Sequence, residues 1–304
     1  MQVVLTALVP VLILILLGYV LRRMDFPGDA FWKPAARAVY FIFLPALLVR
    51  VIAETELDPS LWRAQAALCT TVVVLVLLLL LSRKLVSRRD GPAFTSVMQG
   101  AVRHNTYVGL AIAGVLFGER GLAAFALLVA VVVPLVNAVS VLTLSRFGRG
   151  HAAKLGKMLR MVATNPLIIA CALGALLNLT GIGLPFGTDR WLDLIGQPAL
   201  PIGLLVVGAG LQASALVQVS RNVWIPTLAR LVLYPLLAVG FGALFAVEQA
   251  HWGPMILLGA LPTAASSYVL ALELGGDTDL MARIITVETI VAALTLPAVL
   301  HYLA

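Results

Sequence analysis

Gly100-Ala101-Val102-Arg103-His104-Asn105-Thr106-Tyr107-Val108-Gly109 is a small, polar and charged cluster inside an apolar run of about 92–117. A second cluster, Gly259-Ala260-Leu261-Pro262-Thr263-Ala264-Ala265-Ser266-Ser267-Tyr268, lies inside a run of about 253–274. Roughly 20 apolar residues in a helix cross the hydrocarbon core of a bilayer. Both clusters therefore fall close to the bilayer centre, where polar groups are costly and need partners or a wet cavity. Glycine, proline and small hydroxyl residues hold a continuous helix poorly, so the pattern predicts two helices broken in mid-membrane. A break leaves orphan N–H groups and a partial positive charge at the start of the second half-helix. Two breaks crossing at the midplane would cradle an anionic group such as a carboxylate.

The rest of the chain agrees with a membrane setting. Of 304 residues, 61% are hydrophobic and 12% charged, against about 45–50% and about 25% in soluble domains, which excludes a water-soluble fold. Further apolar runs cover about 3–21, 34–53, 64–82, 121–145, 161–179, 191–211, 222–246 and 281–303. The expected fold class is thus an all-α integral membrane protein with ten transmembrane helices. No small-residue cleavage site precedes Arg22-Arg23, so the first run reads as a retained helix. Cys69 and Cys171 lie in apolar runs without metal or disulfide spacing.

The net charge of +7 does not point to nucleic acid, because the basic residues sit in loops. Odd-numbered loops hold 14 of the 21, among them Arg22, Arg23, Lys84, Arg88, Arg89, Lys154 and Lys157. Even-numbered loops offer Arg63, Arg120 and Arg190 beside Glu54, Glu56, Asp58, Asp189 and Glu248. The positive-inside rule puts the odd loops in the cytoplasm and both termini outside it. The expected location is a bacterial-type inner (plasma) membrane.

An internal duplication is also legible. Pro10 and Gly18 recur as Pro166 and Gly174, and Leu44-Pro45 as Leu200-Pro201, both at an offset of 156. Thr106-Tyr107-Val108 answers Ser267-Tyr268-Val269 at 161. The chain divides into a five-helix repeat at 1–146, a basic cytoplasmic loop at 147–160 and a second repeat at 161–304. Five is odd, so the second copy enters the membrane from the opposite side, a plan of secondary transporters with a midplane site between halves.

Asn105, Thr106 and Tyr107, with Ser266 and Ser267, are the candidate substrate-binding residues. Asn165, before Pro166, and Gln197 are further candidates. Arg103, His104 and Glu288 are candidates for anion attraction or proton coupling. Simpler roles stand beside these. Hydroxyl and amide groups bridge helices through small-residue packing, Arg103 snorkels to the cytoplasmic face, His104 bonds a carbonyl, and Asn165 starts a helix. Arg37, Arg50, Arg230 and Glu273 are other membrane-embedded charges. Neither H-E-x-x-H, G-x-S-x-G nor a phosphate-binding G-x-x-x-x-G-K-[ST] occurs, so no enzyme or ATP-driven pump is expected. No metal or cofactor is expected either.

At these residues the chain resembles the auxin efflux carrier family, which includes plant PIN exporters and bacterial malonate-type carriers. The likeness rests on Asn105-Thr106-Tyr107-Val108-Gly109-Leu110, Leu116-Phe117-Gly118-Glu119, Asn165-Pro166-Leu167-Ile168-Ile169 and Ala260-Leu261-Pro262-Thr263-Ala264. Tyr268-Val269-Leu270-Ala271 and Gly275-Gly276-Asp277 extend it. The resemblance implies two inverted five-helix repeats with crossing broken helices 4 and 9. It also implies scaffold and transport portions interleaved across both repeats, an elevator-type cycle, and a homodimer. Plant members place a proline at each crossing, where Ala111 and Ser267 stand here. The related sodium-coupled bile-acid carriers use a glutamate near the ninth-helix crossing, whereas no acidic residue lies between Pro254 and Leu272. The expectation is an elevator-type secondary active transporter of small organic anions, chiefly carboxylates, with membrane lipid as its surroundings. Proton coupling is preferred to sodium. The alternatives are a sodium-coupled symporter of the bile-acid type and, behind it, an anion channel.

Overall fold

The computed structural model describes residues 2–83, 90–149, 156, 160, 163–212 and 220–302. Lys84, Arg88, Arg89, Lys154 and Lys157, with most of the 147–160 loop, lie outside the described residues. Among those described, the regular structure is helical throughout. Six helical stretches are long and apolar enough to span a bilayer: Asp29–Glu54, Pro59–Leu81, Gly91–Phe147, Thr188–Ala209, Arg221–Leu244 and Thr278–Tyr302. Their apolar residues face both inward and outward. Leu68, Val72 and Leu75 are fully buried, while Leu77, Leu78 and Leu81 of the same helix are exposed. A helix apolar on all sides belongs in lipid or a deep core.

The helices are α1 (Gln2–Arg23), α2 (Asp29–Ala38), α3 (Leu44–Glu54), α4 (Trp62–Leu81), α5 (Gly91–Val102), α6 (Thr106–Phe147) and α7 (Pro166–Leu179). They continue as α8 (Thr188–Gly196), α9 (Ala199–Ala209), α10 (Arg221–Leu228), α11 (Tyr234–Leu244), α12 (Gln249–Ala260), α13 (Ser266–Leu274) and α14 (Thr278–Tyr302). Wide π-helical turns at Val39–Phe43 and Ala229–Leu233 join α2 to α3 and α10 to α11. Each precedes a proline, Pro45 or Pro235, whose missing N–H breaks the regular ladder. The seventh apolar run is interrupted as well, since Gln197-Pro198 parts α8 from α9. Within α6, Gly118 takes φ 64°, ψ −163°, a conformation that favours glycine and turns the chain there.

The chain forms two compact units, each drawing on both halves of the sequence. One comprises Met1–Pro59, Tyr107–Ala130 and Arg160–Gly210. In it α1 packs on α9 and α3 on α7. A Cβ at Gly18 would overlap the Leu205 backbone and one at Gly208 that of Ile15, so these glycines let two backbones touch. The ion pairs of Arg50 with Glu54, Glu119 and Asp193, at 3.6, 3.0 and 3.4 Å, account for that apparently embedded charge.

The other unit comprises Ser60–Thr106, Val131–Leu159 and Leu211–Ala304. Here α10 packs on α5 and α14, α4 on α11, and α12 on α14. Gly100 sits at a tight junction, where a Cβ would meet Ile284 Cγ2 at 2.7 Å and Pro226 Cβ at 2.9 Å. This unit carries the first polar cluster as far as Thr106 and the whole of the second.

Candidate functional site

Both helices predicted to break do so. α5 ends at Val102, and Arg103 adopts extended backbone, φ −79° and ψ 150°. His104 and Asn105 are also non-helical before α6 begins at Thr106. α12 ends at Ala260, with Leu261 at φ −67°, ψ 147°, and α13 resumes at Ser266. Leu261 precedes Pro262, and a residue before proline avoids the helical region. The breaks fall ahead of Ala111 and Ser267, the positions compared with the crossing prolines in the sequence. Ala111 is helical, and Ser267 lies in the first turn of α13. The two interruptions touch, because the Asn105 N–H donates to the Pro262 carbonyl at 2.8 Å.

Side chains from two other segments, the second π-turn and α14, hold this junction. Arg230, fully buried in the second π-turn, donates through Nε to the Leu261 carbonyl at 2.8 Å and through Nη2 to that of Leu258 at 2.6 Å. A cation thus meets the carbonyl end of α12, where the helix dipole is negative. Glu288, about three turns into α14 and fully buried, accepts the Thr263 N–H through Oε2 at 2.9 Å. Its Oε1 has no hydrogen-bond partner among the described residues. The Thr263 hydroxyl faces the Gln99 carbonyl at 3.4 Å and the Ser267 hydroxyl at 3.5 Å.

Arg103 does not snorkel. It is 9% exposed, and its Nη1 donates to Asn137 Oδ1 at 2.7 Å while Nη2 donates to Ser266 Oγ at 2.9 Å. His104 makes no carbonyl bond: both ring nitrogens lack a partner among the described residues, as do both side-chain amide atoms of Gln99. Buried polar groups are normally satisfied, and among the described residues Gln99, His104 and Glu288 Oε1 depart from that rule. The anion-binding potential is uneven between the two half-helices. Amides in the first turn of α13 are partly used, Ser267 N–H by Ala264 O and Tyr268 N–H by Ala265 O. The first N–H groups of an α-helix in general have no acceptor within it, and Arg103 lies three residues before Thr106, where α6 starts.

Arg103, His104, Asn105, Thr106, Ser266, Ser267 and Glu288 therefore share one unit. Tyr107, Asn165 and Gln197 belong to the other. There Asn165 caps α7, its Oδ1 accepting the Leu167 and Ile168 N–H groups at 2.9 and 3.4 Å. Gln197 is exposed and bonds Asp193 one turn away at 2.9 Å. The Tyr107 ring packs beside Gly203 of α9. Sequence reasoning missed Gln99 and Asn137, and it saw Arg230 without its role. An isolated amide in each apolar run was the available signal.

Residues 151–300 match a family model described as a membrane transport protein. A Methanothermobacter thermautotrophicus (strain Delta H) protein, named only as an uncharacterized transporter, is 25% identical over 94% of each chain. A Rhizobium meliloti (strain 1021) protein, provisionally named a malonate transporter, is 26% identical over 95% of this chain and 92% of its own. The uncharacterized transporter YfdV of Escherichia coli (strain K12) is 23% identical over 87% of this chain and 86% of its own.

Proposed function

We propose that this chain is a secondary active carrier of small organic anions, chiefly carboxylates, a reading supported by the match of residues 151–300 to a membrane transport protein family model and by the likeness to proteins named as transporters. One observation carries the reading. The Asn105 N–H to Pro262 carbonyl bond joins two interrupted helices beside a buried arginine. In this reading a carboxylate takes the charge of Arg103, with Asn105, Thr106, Ser266 and Ser267 lining the site. Two buried arginines, Arg103 and Arg230, stand against one buried carboxylate, Glu288, so the junction favours an anionic guest. The malonate in the name of the Rhizobium protein supports a dicarboxylate as the first compound to try.

The cycle we favour is elevator-type alternating access, in ten helices arranged as two inverted repeats. It is supported by both breaks lying in one compact unit, as a site carried by a moving body requires. The inner membrane as location, termini outside the cytoplasm, and a lipid-embedded homodimer complete the proposal. Proton coupling fits the open oxygen of Glu288 and the two open nitrogens of His104. A sodium-coupled reading gains one point of support. The ninth-helix break has no acidic residue of its own, yet α14 delivers the Glu288 carboxylate to it.

The test is thermal stabilisation of the purified protein by malonate and other small carboxylates, with and without sodium and at two pH values. The expected result is saturable stabilisation that depends on pH and not on sodium. Asn105→Leu, close in size, should lose the ligand effect while remaining monodisperse. Stabilisation by neutral apolar compounds alone would overturn the anion reading, and a strict sodium requirement would replace protons with sodium.

A further inference from the structure

Asn137 stands 34 residues beyond Arg103 in sequence, on the later part of α6, and is half-buried. Its Oδ1 receives the Arg103 Nη1 at 2.7 Å while Ser266 Oγ receives Nη2 at 2.9 Å. A guanidinium only donates, so the amide must present its oxygen. These two acceptors are both neutral. A carboxylate at position 137 would make the same hydrogen bond and add a counter-charge. An amide fixes the planar fork and adds none.

We propose that Asn137 is a positioning residue for anion recognition, orienting Arg103 toward the substrate carboxylate while leaving its positive charge uncompensated from that side. The inference rests on the anion-carrier reading above. Asn137 does not touch substrate; it acts through Arg103. The grip also links three segments of one unit, the first break, later α6 and the first residue of α13. The arginine is thereby held at the place where the two interrupted helices meet. The choice of amide over carboxylate is a specificity device. In an environment of low dielectric, one added negative charge a hydrogen bond away from the guanidinium opposes any second anion.

The experiment is malonate binding to the purified full-length protein, by titration calorimetry, for wild type and five variants. Asn137→Asp should keep the assembled protein and its melting temperature without ligand, yet weaken malonate binding by about tenfold or more. Asn137→Ser, which retains a short neutral acceptor, should bind better than Asn137→Leu. The cycle of Asn137→Leu, Arg103→Gln and the double variant separates an action through Arg103 from a general structural one. The Leu change should cost about tenfold in the wild-type background and almost nothing in the Arg103→Gln background. Equal binding by Asn137→Asp and wild type, or additive losses in the cycle, would overturn the role of Asn137 while leaving the anion reading in place. Should the Asp variant not assemble, the cycle alone decides. Absence of any carboxylate binding to wild type removes the anion reading, and this inference with it.

Discussion

Arg230 ends a helix from the outside. Its guanidinium donates to two carbonyls at the end of α12 that have no helical partner. Removing it leaves both buried and unsatisfied, so Arg230→Met should destabilise the protein by about 3 kcal/mol. Arg230→Lys should lose less, because an ammonium can still reach one of them. Unfolding in a graded detergent series measures both. Glu288 holds the same break at the Thr263 N–H, and Glu288→Gln retains an oxygen for that bond. That variant should assemble and bind substrate but lose the pH dependence of transport, which uptake at several pH values records. Persistence of that dependence would move proton coupling to His104. At this scale the sequence located Arg103, His104 and Glu288 as intramembrane polar groups. It did not reveal their partners. Asn137 and Arg230 join the breaks by tertiary packing across 34 and 28–31 residues of sequence, which no local pattern encodes. Asn165-Pro166 was more legible, since an asparagine before a proline is a familiar helix start.

The interrupted helices show how an element is broken by different means. At 261–265 proline chemistry suffices. At 103–105 no glycine or proline stands at the break, and tertiary bonds from Arg103 and Asn105 hold the extended backbone open. The small residues around position 100 signalled the interruption but not its cause. Gly100 serves packing instead, at the junction of α5 with α10 and α14. Gly100→Ala is expected to cost about 1–3 kcal/mol through overpacking against Ile284 and Pro226. Gly240, inside α11, has nothing within 4 Å of where a Cβ would lie. Gly240→Ala should therefore be neutral or stabilising by up to about 1 kcal/mol, the helix-propensity gain. Melting temperatures of the pair test the contrast, and equal effects would count against the close packing at Gly100. The interruption at Gln197-Pro198 was hidden by an apolar run that continues across it.

Across the whole molecule, membrane residence was legible from composition, because a chain so poor in charge has no water-soluble packing available. Loop charge gave an orientation that labelling can check. In a background lacking Cys69 and Cys171, an impermeant maleimide on intact cells should label Phe186→Cys, at a fully exposed turn, and spare Met24→Cys, which is also exposed. The reverse pattern would invert the topology. The proposed inverted repeat rests on widely spaced matches in the sequence, since helix packing constrains size and polarity more than residue identity. The central claim, that the joined breaks bind a carboxylate for transport, is tested most directly by uptake of labelled malonate into proteoliposomes holding wild type or Arg103→Gln. Wild type is expected to show saturable uptake, and the assembled variant to lose it. Equal uptake by the two, or flux that never saturates, would contradict it.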